Sequence, residues 1–215
     1  MSRIMLVGGH GKVALLLAPL LSARGDQVSA VIRNPDHSED VLAAGAEPVV
    51  ADVEKLDVPG LTDLVAGQDA IVWTAGAGGG SAERTWAVDR DAAIRSMDAA
   101  SAAGVDRYVM VSYFGAGPDH GVPEDDSFFA YAEAKSAADA HLSATDLAWT
   151  ILQPSALTLD PPTGRIDVEA AESESVGRAD VAAVVAAVLV DESTVGRSIR
   201  FNSGDVPIVE AVAGA

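Results

Sequence analysis

Short apolar runs rich in Val and Ile alternate along the chain with longer stretches in which apolar residues recur every three or four positions. The short runs are Arg3–Val7, Gln27–Ile32, Glu47–Ala51, Asp69–Thr74, Arg107–Ser112, Ala148–Leu152 and Ser198–Asn202, and each reads as a strand. Between them the spacing predicts helices over Lys12–Arg24, Leu61–Ala66, Ala82–Ala103, Phe128–Ser143 and Arg178–Val190. Gly25 closes the first helix, which carries Pro19, and Asn34-Pro35 stops the second strand. Ser38 is placed to cap a short helix through Ala44 that Gly45 ends, and Gly104 closes the long helix.

Strands separated in this way by helices pair in parallel through right-handed crossovers. Strands that are apolar on both faces belong to a sheet covered on both sides. The expected fold class is therefore α/β: a doubly wound parallel sheet with helices on both faces, in one domain spanning residues 1–215. The stretch Gln153–Glu174, with three prolines and little periodicity, breaks the pattern. Its place beyond the carboxyl end of a strand predicts a small substrate-side segment.

Composition narrows the chemistry. With no cysteine, disulfides, thiolate metal sites and a cysteine nucleophile are excluded. A net charge of −18 argues against nucleic-acid and anionic-membrane partners, because both demand a basic footprint. No apolar run is long enough to span a bilayer, and the N-terminus passes straight from a short strand into glycines, so a cytoplasmic location is expected. His10, His37, His120 and His141 are too scattered to suggest a metal site.

The first strand ends in Gly8-Gly9-His10-Gly11-Lys12-Val13-Ala14, a G-x-x-G-x-x-A pattern. Glycine is needed where backbone must turn tightly against a pyrophosphate, and a small residue where helix packs close to strand. N–H groups from Lys12 and Val13 onward then face the phosphates. The loop, with His10 as one of its side chains, points to a dinucleotide. At the end of the second strand an acid would select NAD and a base would pair with the 2′-phosphate of NADP. Arg33 stands there, so NADP(H) is expected, with NAD(H) as the other option. Asp52-Val53, after the third strand, falls beside the adenine, and Thr74-Ala75-Gly76, after the fourth, falls along the cofactor edge. Gly76, Gly78, Gly79 and Gly80 either line that edge or supply a mobile loop.

Tyr131 and Lys135 are four apart on a predicted helix, which puts both on one face. An ammonium near a phenol is expected to lower the phenol's pKa, suiting it to proton transfer, and the same ammonium can hold ribose hydroxyls. Ser112, at a strand end, either orients a substrate carbonyl or bonds its own backbone. His120 is placed to line a substrate entrance, and the loop Gly115–Asp126 reads as a lid or a plain surface loop. Trp73 and Trp149 read as core residues.

The glycine loop, Arg33, Ala51-Asp52, Tyr108–Ser112, Tyr131-xxx-Lys135 with Ala137-Ala138-Asp139, Trp149–Pro154 with Leu157, and Gly177–Ala182 together carry a resemblance. They resemble the atypical short-chain dehydrogenase/reductases of the NmrA-like, biliverdin-reductase-B-like branch, over nearly the whole chain. The resemblance implies a Rossmann fold, NADP(H) along Gly8–Val13, Arg33 and Asp52, and a nicotinamide near Pro154–Leu157. It also implies Ser112, Tyr131 and Lys135 as a catalytic set, and a monomer or homodimer. The expected function is hydride transfer between NADPH and a small carbonyl or quinone-like substrate. A non-catalytic NADP(H) sensor is the alternative, and a sugar-nucleotide epimerase or dehydratase is disfavoured by the short substrate segment.

Overall fold

The computed structural model describes residues 1–78 and 81–215, so Gly79 and Gly80 lie outside the described residues. The first half runs β1 (Arg3–Val7), α1 (Lys12–Ala23), β2 (Gln27–Ile32), α2 (Ser38–Ala43), β3 (Glu47–Val50), α3 (Val58–Val65) and β4 (Ala70–Trp73). It continues through α4 (Ala82–Thr85), a π-helical stretch Trp86–Ala92, α5 (Ala93–Ala103), β5 (Arg107–Val111), α6 (Phe129–Ser143) and β6 (Ala148–Pro154). The last part holds β7 (Ala156–Thr158), β8 (Arg165–Asp167), β9 (Ser175–Gly177), α7 (Arg178–Val188), β10 (Arg197–Ser203), β11 (Val206–Pro207) and α8 (Ile208–Gly214).

Nine strands form one sheet in the order β11-β8-β10-β6-β5-β4-β1-β2-β3, and all pairs from β10 to β3 are parallel. This is the doubly wound sheet that the alternating pattern predicts. Period-two alternation sorts each strand between two cores: Ile4 and Leu6 face the layer holding Leu17 and Val184, while Met5 and Val7 face the layer holding Met97 and Leu142. Trp73 is fully buried in the second layer, and Trp149 packs against it partly buried.

Two local expectations need correction, and two further features carried no signal in the sequence. The Ala82–Ala103 helix is interrupted by the π-helical stretch, and a widened turn of this kind often marks a functional site. Ser38 caps nothing: its hydroxyl donates to the carbonyl of Pro35, and the Asn34 side chain caps the turn by accepting from the Asp36 N–H. The segment after residue 153 is not structureless, because β6 continues to Pro154, β7 pairs with β9, and β8 joins the main sheet antiparallel to β10. The C-terminal β11 and α8 left no signal in the apolar spacing; α8 packs Ile208, Ala211 and Val212 into the first core layer.

The chain order reverses between β1 and β4, and loops diverge there at the carboxyl ends of the strands. A doubly wound sheet binds ligands in that crevice.

Candidate active site

Two adjoining cavities open at this crevice, one of about 280 Å³ and the other of about 750 Å³. They share Gly11, Thr74, Ala75 and Gly76 as common wall, so the glycine loop and the β4 exit form one continuous trough.

The glycine loop is shaped by packing that tolerates no side chain. Gly8 has φ +89°, and a Cβ there would lie 2.6 Å from the Ala75 backbone. A Cβ on Gly9 would lie 2.6 Å from Ala30 Cβ. The loop is pinned by Gly9 N–H to Val31 O at 2.8 Å and Gly11 N–H to Gly8 O at 2.8 Å. Gly11 is the N-cap of α1 and supplies no capping side chain, and the first turn holds no acid. The first-turn N–H groups are therefore left for an anion, and the residues present fit a dinucleotide pyrophosphate.

The smaller cavity is lined by Gly8, His10, Arg33, Asp52, Val53 and Thr74, bringing together most residues expected to hold the adenosine half. His10 pairs with Asp40 at 2.8 Å and stacks on His37 with ring centroids 3.6 Å apart. Asp52 pairs with Lys55 at 3.2 Å, and the Thr74 hydroxyl donates to Val7 O at 2.9 Å. Lys12 is exposed and lines neither cavity. Only its backbone is placed for the expected role.

The larger cavity is lined by Val13, Asp89, Ser112, Tyr131, Lys135 and Leu157 among others, so the structure brings the Ser112–Tyr131–Lys135 set together. Pro154 does not join it: it ends β6 as a buried residue, and its carbonyl accepts the Phe114 N–H at 2.8 Å. His120 is likewise absent from the lining; its ring is tied to Glu133 at 2.9 Å and packs against Phe129.

The hydrogen bonding departs from the expected relay. Lys135 is fully buried, and its Nζ donates to Val111 O at 2.9 Å and to Met110 Sδ at 3.2 Å. Burial lowers its pKa, against the opposing charges of Asp139 and Asp89. The Tyr131 phenol is not acidified by it. Burial, followed by Asp89, Asp139 and Tyr113, pushes the phenol up, so the expected lowering is corrected: desolvation of the phenolate comes first and two nearby carboxylates add to it. Ser112 bonds neither its own backbone nor open space, because its hydroxyl donates to Asp139 Oδ2 at 2.6 Å.

Asp89 and Asp139 are the residues sequence reasoning missed. Asp89 Oδ2 accepts the Ala77 N–H at 2.9 Å, which fixes the segment after β4. Asp139 is buried with Oδ1 unpartnered. Burial raises the pKa of both, against the ammonium of Lys135. Asp139 had a signal, since it continues the four-residue spacing Tyr131, Lys135, Asp139 along one face of α6. Asp89 had none, because the π-helical stretch that carries it breaks the spacing.

Comparison with known proteins agrees with this geometry. Residues 8–192 match the model of the NAD(P)H-binding family, and the chain belongs to that family. An uncharacterized sugar epimerase of Bacillus subtilis is 33% identical over 213 residues, covering 98% of each chain. A Bacillus halodurans structure, provisionally named an NAD-dependent epimerase/dehydratase, superposes with a TM-score of 0.91 at 30% identity over 100% of both chains. A Lactococcus lactis oxidoreductase gives 0.88 at 30% identity over 99% of this chain and 95% of its own. The resemblance to atypical short-chain dehydrogenase/reductases and the NAD(P)-binding, oxidoreductase-like fold are thereby borne out. Among the described residues no helix is long and apolar enough to cross a membrane.

Proposed function

We propose that the protein is an NADP(H)-dependent oxidoreductase that reduces a small carbonyl or quinone-like substrate, with Tyr131 as proton donor. The observation that carries this reading is the continuity of the two cavities: a glycine-loop trough leads directly to a half-buried tyrosine beside a buried lysine and buried carboxylates. Reduced nicotinamide supplies the hydride. The chain's residues do the rest. Arg33 pairs with the 2′-phosphate, Gly8–Val13 cradle the pyrophosphate, and Asp52 and Val53 border the adenine. Tyr131 lines the larger cavity, and its phenol carries a proton near neutral pH that can pass to a developing alkoxide, although burial makes it a weaker acid than a free phenol. Ser112, held by Asp139, orients the substrate oxygen, and Lys135, on the wall of the same cavity, would hold the ribose hydroxyls.

The names of the two Bacillus relatives favour a second reading, an epimerase or dehydratase acting on a sugar. Against it, only Leu157 of the Gln153–Glu174 segment reaches the lining of the larger cavity, which supports a small substrate. Tyr131→Phe is expected to leave NADPH binding unchanged in a fluorescence titration and to lower NADPH oxidation over a panel of aldehydes, ketones and quinones by at least about 100-fold. A variant that turns over as fast as wild type removes Tyr131 from the role. A substrate converted with no net NADPH consumption supports the epimerase reading instead.

A further inference from the structure

Beyond Arg33, the smaller cavity holds a charge arrangement that the proposed chemistry leaves unused. One carboxylate oxygen, Glu54 Oε2, lies 3.6 Å from Arg33 Nη1 and 3.5 Å from Arg84 Nε. The three residues come from separate parts of the chain, after β2, after β3 and within α4, and all three line the cavity. Arg84 is further fixed by donating from Nη1 to Ala77 O at 3.1 Å, while its Nε and Arg33 Nη1 share the one Glu54 oxygen. The side chains are 55%, 30% and 35% exposed for Arg33, Glu54 and Arg84, so these pairs are loosely held and can exchange with a competing anion.

Two guanidiniums on one oxygen is a poor use of ten N–H donors. A phosphate, with three terminal oxygens and close to two negative charges, satisfies such a pair far better than a single carboxylate. We propose that Arg84 and Arg33 together clamp the 2′-phosphate of the cofactor, and that Glu54 is an internal anion filling the clamp until that phosphate displaces it. The inference rests on the NADP(H) reading above and adds to it a second phosphate ligand and a competitor that sets selectivity. Glu54 penalises every 2′-phosphorylated ligand, because its carboxylate must be pushed aside, and leaves ligands without that phosphate untouched.

The test uses the full-length protein and two probes, 2′,5′-ADP and ADP, titrated calorimetrically. Glu54→Gln keeps the shape and removes the charge; it is expected to tighten 2′,5′-ADP roughly three- to tenfold and to move ADP less than about twofold. Arg84→Met is expected to weaken 2′,5′-ADP by about tenfold with ADP unchanged. If Glu54→Gln leaves 2′,5′-ADP unchanged or weakens it, the displacement is overturned. If Arg84→Met weakens both probes equally, Arg84 only braces the segment after β4 and the clamp is overturned. Failure of the underlying reading shows separately, without touching Glu54 or Arg84: wild type then binds both probes equally and Arg33→Met changes neither. Thermal melts of each variant identify any loss that comes from misfolding.

Discussion

The two halves of the trough are built on opposite principles. Around the glycine loop the shape is set by backbone, with Gly8 and Gly9 packed where no Cβ fits and the charged groups left partly in water. Around Tyr131 the backbone is a strand end, a helix and the π-helical stretch, and the character comes from Asp89, Lys135 and Asp139, all buried. One half recognises through donors that cannot move. The other stores ionisable groups whose protonation is displaced from its usual range, the condition under which side chains exchange protons with a ligand near neutral pH.

The sharpest way to break this contrast is to empty the buried half of its cation. Lys135→Met keeps the length but strands two buried carboxylates and the Val111 carbonyl, so urea unfolding is expected to show a loss of about 3 kcal/mol. A loss below about 1 kcal/mol would mean that the ammonium is not balancing those acids.

In the other half the damage should be steric. Gly8→Ala combines a positive φ with a contact of 2.6 Å to the Ala75 backbone, and it is expected to cost about 2 kcal/mol and to lower Tm by about 5 °C. An unchanged Tm would show that the loop can yield, removing the distinction between a rigid half and a charged one.

The smallest effect is one of pH. Burial raises the pKa of Asp139, so the native carboxyl keeps a proton after the unfolded chain has lost its own, near pH 4. Unfolding free energy then falls as pH rises from about 4 through the folded pKa, because the native state binds more protons than the unfolded one. Asp139→Asn deletes that contribution. As pH rises above about 4 the variant is expected to lose less stability than wild type. Equal slopes in urea titrations would place Asp139 outside the linkage.

The same contrast explains how much could be read from the chain. The backbone-built half was legible because glycine spacing, strand position and Arg33 all act locally. Lys135 and Tyr131 were legible as a pair at helical spacing. Their electrostatics were not, since the pKa of Tyr131 depends on Asp89, 42 positions away in a helix whose π-helical stretch hides its phase. Glu54 and Arg84 were invisible for the same reason: no spacing rule connects the exits of β2 and β3 with a helix after β4. Pro154 lies outside both cavities because a position next to the right strand end does not say which way a side chain points.

The ends of the sheet bear on how copies of the chain meet. At one end β3 is four residues long and carries Pro48, which has no N–H to offer a neighbour; at the other, β11 is a two-residue strand running into α8. A strand needs a row of free donors and acceptors to recruit another chain edge to edge. Among the described residues neither margin provides a long one, so the sheet's edges offer little for a strand of another chain to pair with.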